Sequence, residues 1–268
     1  MSAATADFYN ERPGVARTSH QSLALAWRTL RPLLRSPVMI VTDALRPVLL
    51  VLLFNFVFGG SITLPGGLKY ISYLVPGILV QQVAFFSALT AAGMAADMTN
   101  HILDRFRSLP VARSAYLTGR VLADTARMLL SEAVIITVGV ALGFRFGGGF
   151  AAGAGGLLLG VAFGVSVAWL GVATAMVVRN PELVQMVWFV SMMPLIFASS
   201  IFASPSRMPG WLQPLVRANP LSVVADAERA LLLGGPAATP VWHAVAWIAG
   251  SSVVFFAWAV HRYRSLGG

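Results

Sequence analysis

Apolar residues are gathered along this chain in long blocks separated by polar gaps. Six blocks are long enough to cross a bilayer as helices, which takes roughly 20 residues each. They fall at about 38–59, 71–93, 117–143, 152–178, 183–203 and 241–260. No secretory signal peptide is expected, because the first block follows a long basic segment and is too long for the core of one.

Between the second and third blocks the pattern changes. Met98, Ile102, Phe106 and Leu109 recur at i, i+4, i+8 and i+11, which makes one apolar stripe. Asn100, Asp104 and Arg107 lie opposite, with Asp97, His101 and Arg105 in the same short stretch. Asp104 and Arg107 are spaced to pair, and Pro110 ends the run. The spacing predicts a short amphipathic helix. It either lies on the inner leaflet or acts as a knob for a soluble partner.

Ahead of the first block, "SHQSLALAWRTLRPLLRSP" puts Leu23, Trp27, Leu30 and Leu34 on one helical face and Arg28, Arg31 and Arg35 on another. That is the pattern of an interfacial helix, with Trp at headgroup depth and Arg toward anionic lipid. Pro32 is expected to kink it, and Ser36-Pro37 reads as N-cap and first-turn Pro of the first span. Such a helix is a membrane anchor, or an anchor that also touches a partner.

The gap after the fifth block, "SRMPGWLQPLVRANPLSVVADAERALLLGG", is long and rich in aliphatic residues. Pro209, Gly210 and Trp211 begin it, Asn219-Pro220 reads as N-cap plus first-turn Pro, and Gly234 as a C-terminal cap. Asp226 and Arg229 are spaced to pair. Two short helices folded into the outer half of the bilayer are expected, as a lid or re-entrant pair.

Composition agrees with a membrane protein. The 268 residues are 57% hydrophobic and only 11% charged, against about 25% charged in a soluble domain. The net charge of +9 reports topology rather than nucleic-acid binding, because the Arg residues sit in the gaps. Of the 19 basic residues, 14 fall in the termini and even-numbered gaps or beside them, which puts both termini in the cytoplasm.

Charge inside the blocks is the usual mark of function in a membrane. Asp43 and Arg46 are spaced to pair near the start of the first block, and Arg120, Asp124 and Arg127 stack along the third. Glu132 is different, because no basic residue lies three or four positions away. It is protonated, paired with another span, or lining a polar path.

Enzyme chemistry finds little support. There is no cysteine, and the one lysine, Lys69, is not part of a G-x-x-x-x-G-K-[ST] loop. The four histidines form no metal-ligand cluster, and no G-x-S-x-G elbow occurs. The chain supplies no ATP or metal site of its own.

The order of parts resembles the permease subunits of type-2 ABC exporters, in particular the daunorubicin-resistance-like branch. The resemblance rests on the basic entry helix, "DRFRSLPVARSAYLTGRVLAD", "GFRF", "VVRNPELVQ" and "MPGWLQPLVRANPLSVVADAERALLLG", and covers nearly the whole chain. It implies an all-α membrane domain over 1–268. Residues 1–37 would be a cytoplasmic segment with the interfacial helix, 38–260 six spans, and 261–268 a cytoplasmic tail. It further implies two separate ATPase chains that bind ATP and Mg, and a second permease, identical or homologous. Asp97, Met98, His101, Ile102, Arg105, Phe106 and Leu109 would form a coupling helix docked on the ATPase. The helix around Trp27 would be a second contact. The exported substrate would be hydrophobic or amphiphilic: a drug, lipid, polyketide or glycolipid. The competing expectation is an ATP-independent flippase or membrane scaffold.

Overall fold

The computed structural model of the chain describes residues 37–62, 67–100 and 113–265. The described residues form helices and no strand. The long helices are α1 (Pro37–Phe58), α2 (Tyr70–Thr99), α3 (Arg113–Ala141), α4 (Gly149–Val178), α5 (Pro181–Phe197) and α8 (Ala238–Ser265). Between α5 and α8 lie a 3-10 turn at Pro205–Arg207 and two short helices, α6 (Gln213–Ala218) and α7 (Pro220–Leu233).

The helix ends follow from local chemistry. Arg179 takes a left-handed φ of 54° and stops α4. The Asn180 side chain then accepts from the backbone N–H of Glu182 (2.9 Å) and Leu183 (3.0 Å), and Pro181 opens α5. The same device starts α7, where Asn219 Oδ1 accepts from Leu221 N at 2.9 Å ahead of Pro220. Gly234, at φ 77°, ends it as expected.

α2 and α4 form the centre of the bundle. Of their apolar stretches, 83% and 67% of the residues are buried, against 17% for α1 and 11% for α8. Leu49, Leu53 and Phe56 of α1 and Trp242, Val253 and Val254 of α8 therefore face outward. In a bilayer that outward surface meets hydrocarbon and costs nothing to expose.

Small residues let the central helices meet. A Cβ on Gly171 would stand 2.7 Å from the Ser87 carbonyl oxygen of α2. One on Gly164 would stand 2.8 Å from Met128 Sδ of α3 and 2.9 Å from Val83 Cβ of α2. Ser166 and Ser251 join their hydroxyls at 2.7 Å and fasten α8 to α4.

α1, α2, α4 and α8 are long and apolar enough to cross a membrane. The third and fifth apolar blocks form α3, which carries four charged residues within Arg120–Glu132, and α5, which is apolar but only 17 residues long. Two boundaries differ from expectation. The fifth block stops being helical at Phe197, not near 203, because Asn219 Nδ2 donates to the carbonyls of Leu195 (2.6 Å) and Ala198 (2.8 Å) and satisfies the helix end there. The second block runs on to Thr99, so Asp97 and Met98 belong to the last turn of α2 rather than to a separate helix.

His101, Ile102, Asp104, Arg105, Phe106, Arg107 and Leu109 lie outside the described residues, as do Trp27, Arg28, Arg31 and Arg35.

Candidate functional site

Polar side chains inside the bundle gather in three places. The first is on α1, α2 and α3. Arg127 Nη2 donates to Asp43 Oδ2 at 2.6 Å, joining α3 to α1. Arg46 does not pair with Asp43 as its i,i+3 spacing suggested. Its Nη2 donates to Gln82 Oε1 at 3.1 Å, and its guanidinium lies 3.9 Å from the centre of the Phe85 ring. Gln82 Nε2 in turn reaches the Asp43 backbone carbonyl at 3.4 Å.

Asp43, Arg46 and Gln82, but not Arg127, form one wall of a cavity of about 490 Å³ between α1, α2 and α5. The other walls are aromatic and aliphatic, from Phe85, Phe86, Leu89, Trp188, Phe189 and Met192. Trp188 is 3% exposed and its Nε1–H has no partner among the described residues. A concave apolar site with a few converging polar groups is the usual form of a small-molecule site. This one offers a cationic group, an anionic group and two amides to an amphiphile with a ring system.

The second cluster runs toward the end at which α2 stops. Arg120 bonds the Asp97 carboxylate and lies against Gly93, leaving no room there for a side chain. Its Nε is 4.0 Å from Asp124 Oδ2, which accepts from the Thr90 hydroxyl at 2.6 Å. The expected Arg120–Asp124–Arg127 stack is thus divided: Arg120 serves Asp97 and Asp124, and Arg127 serves Asp43.

The third cluster is at the opposite end. Arg229 of α7 is 8% exposed and uses all five of its N–H directions. Nε donates to Tyr73 O (3.0 Å), Nη1 to Ser200 Oγ (3.1 Å) and Asp226 Oδ1 (2.7 Å), and Nη2 to Ser200 O (2.8 Å) and Ile201 O (3.1 Å). The Tyr73 hydroxyl adds a bond to Ser200 O at 2.7 Å, and Tyr70 one to Phe202 O at 2.9 Å. The Asp226–Arg229 pair read from the sequence is therefore present, within a larger lock that the spacing did not reveal. Pro209, Gly210 and Trp211 sit in the turn before α6, and Trp211 is exposed at 73%.

Glu132 is 2% exposed and faces Glu228 of α7 across Gly160. Sequence reasoning singled out the first acid and missed the second. It also missed Gln82 and Trp188. The consecutive Gln81-Gln82 in the middle of an apolar block was the available signal for the cavity.

Comparison with known proteins agrees with these features. The ABC-2 type transporter family matches residues 20–233. The daunorubicin resistance ABC transporter permease protein DrrB1 of Streptomyces coeruleorubidus is 34% identical over 255 residues, covering 95% of this chain and 90% of that protein. The probable doxorubicin resistance ABC transporter permease protein DrrC of Mycobacterium tuberculosis is 29% identical over 237 residues, covering 87% of this chain and 84% of the relative. The doxorubicin resistance permease protein DrrB of the same organism is 31% identical over 185 residues, or 66% of this chain and 61% of that protein. With the helical bundle, its outward apolar faces and a family match over most of its length, this chain belongs to the ABC-2 type transporter family of membrane permeases.

Proposed function

We propose that the chain is the membrane-spanning subunit of an ATP-driven exporter that carries amphiphilic aromatic drugs, such as daunorubicin, out of a bacterial cell. The observation that carries this reading is the cavity between α1, α2 and α5. Its aromatic walls and its Asp43, Arg46 and Gln82 side chains suit a substrate with both a ring system and polar groups. Relatives named for daunorubicin and doxorubicin resistance support the same substrate class.

In this reading α1, α2, α3, α4, α5 and α8 are six spans and both termini are cytoplasmic. The four charges of α3 fit a span because Asp43, Asp97 and Thr90 satisfy three of them within the bundle. The cavity then opens in the half of the membrane nearer the cytoplasm. α6 and α7 cap the outer end, with Pro209, Gly210 and Trp211 at the lip and Asn219-Pro220 at the turn into α7.

Two ATPase subunits bind ATP and Mg, and a second permease completes the path. The stretch from Asp97 through Met98, His101, Ile102, Arg105 and Phe106 to Leu109 docks on the ATPase. The N-terminal segment with Trp27, Arg28, Arg31 and Arg35 lies beside it on the membrane surface. Arg120 links this docking stretch to the bundle, since it holds Asp97 from α3 while Asp124 and Thr90 tie α3 back to α2.

Phe106→Ala is expected to weaken capture of the ATPase partner by roughly 30-fold, since a buried aromatic anchor is typically worth about 2 kcal/mol or more. Arg105→Glu should act in the same direction. Membrane insertion of both variants should be unchanged. The measurement is titrated co-purification of tagged permease with its partner. Full binding by the double variant would remove the docking assignment. Transport that needs no ATPase would favour an ATP-independent flippase.

A further inference from the structure

The apolar middle of the bundle holds a pair of carboxyl groups that none of the three polar clusters uses. Glu132 reaches it from α3 and Glu228 from α7, and the two are 2% and 0% exposed. Both are aimed at one point on α4. Glu228 Oε1 and Glu132 Oε1 lie 2.0 Å and 3.2 Å from where a Cβ on Gly160 would stand, so only glycine leaves them room. All four carboxyl oxygens are shut off from solvent and accept no hydrogen bond from any described residue.

No cation among the described residues answers them. Arg229 follows Glu228 in sequence, but its five donors go to Tyr73, Ser200, Ile201 and Asp226. On α3 the nearest charges in sequence are Arg127 and Asp124, and they are engaged by Asp43 and by Thr90 and Arg120. α4 has no titratable residue along its whole length. The titratable residues of α2 are Tyr70 and Tyr73, bonded to the 200–202 segment, and Asp97, held by Arg120. α8 brings His243 near its start and His261 and Arg262 near its end. Among the described residues no group of three acids or imidazoles is arranged to hold a metal ion.

Two carboxylates buried together without a counter-ion would each carry several kcal/mol of desolvation cost and repel one another as well. A metal cation with oxygen ligands needs about six or more of them, against two converging side chains here. A proton needs only the two oxygens. Shared between them, it turns an unpaired acceptor pair into an O–H donor and its acceptor, as in other carboxyl dyads. We propose that Glu132 and Glu228 form a proton-binding site, in which one carboxyl donates its O–H to the other and so clips α7 to α3 across Gly160. The proton is bound to the folded bundle, and its loss leaves like charges that push α7 away from α3.

The test is infrared spectroscopy of the purified full-length chain in lipid nanodiscs at neutral pH. The expected result is a protonated-carboxyl C=O absorption that Glu132→Gln and Glu228→Gln each displace and that the double Gln variant lacks. Asp124→Asn, whose carboxylate already has Thr90 and Arg120, should leave the absorption in place. No acid absorption in the wild-type chain overturns the proposal, and that reading does not depend on any variant folding. An acid absorption that survives in the double variant overturns it as well, as does one that appears only when sodium and potassium are removed, which would mark a metal-cation site. Raising the pH of the wild-type nanodiscs should abolish the absorption and, with it, weaken the protection from labelling of a cysteine placed at Leu231. An absorption lost with no change in that labelling would leave the pair unconnected to the seating of α7 and refute the clip.

Discussion

Arg229→Ala is expected to unseat the end of the bundle that α7 covers. The guanidinium is the point at which α7, α2 and the 199–202 turn are joined, and it is almost fully buried. Removing it leaves the carbonyls of Tyr73, Ser200 and Ile201 without that donor. Orphaned buried acceptors cost about 1–3 kcal/mol each. The ion pair itself is the smaller part, because the Asp226 side chain is 50% exposed. Asp226→Asn should therefore cost no more than about 1 kcal/mol. Arg229→Lys should fall between the two, since an ammonium has three donors where the guanidinium has five. Thermal unfolding of the three variants in nanodiscs gives the order. Equal losses for Arg229→Ala and Asp226→Asn would show that the lock is a simple surface pair.

The second large effect is expected in the cavity. Asp43 and Arg127 come from different helices and are each about a quarter exposed, and Asp43 lines the cavity. Asp43→Ala takes the anion from the cavity and leaves Arg127 without its partner, and Arg127→Ala leaves Asp43 unpaired on the cavity wall. Either change should lower drug transport at least tenfold, through a loosened α1 and an uncompensated charge. The double change should do less harm than the two single effects combined, because a contacting pair couples by about 0.5–3 kcal/mol. Transport rates in the four members of this cycle, each normalised to the amount of permease in the membrane, measure the coupling. Strict additivity would mean that the pair is not a unit.

The residues that the sequence made legible are those whose partners are near in the chain. Asn219-Pro220, Gly234 and the Asp226–Arg229 spacing all lie within one helix and its ends, and all three behave as read. The six apolar blocks all form helices, because length and composition alone decide whether a segment can satisfy its backbone away from water. Asp43 and Arg46 fail for an instructive reason. The i,i+3 pairing rule describes a helix with water on its outer side, whereas here Gln82 and Arg127 of neighbouring helices offer better-placed partners. Glu132 was visible as an anomaly, but its counterpart lies almost a hundred residues away on α7 and meets it only because Gly160 permits the approach. The cavity's one local signature is Gln81-Gln82 in an apolar block, and it marks neither the cavity's walls nor its extent. The cavity arises where α1, α2 and α5 fail to close on one another, and a one-dimensional pattern does not record that.

The most direct measurement of the central claim is accumulation of a fluorescent aromatic drug in inside-out vesicles that hold the permease, its partner ATPase, or both. With both present, ATP and Mg should drive uptake, and uptake should fall at least tenfold when Asp43→Ala replaces the wild-type permease. The ATPase alone and the permease alone should give the leak rate. Uptake by the permease alone at the full rate, or no uptake when both are present and ATP is being hydrolysed, would contradict the account.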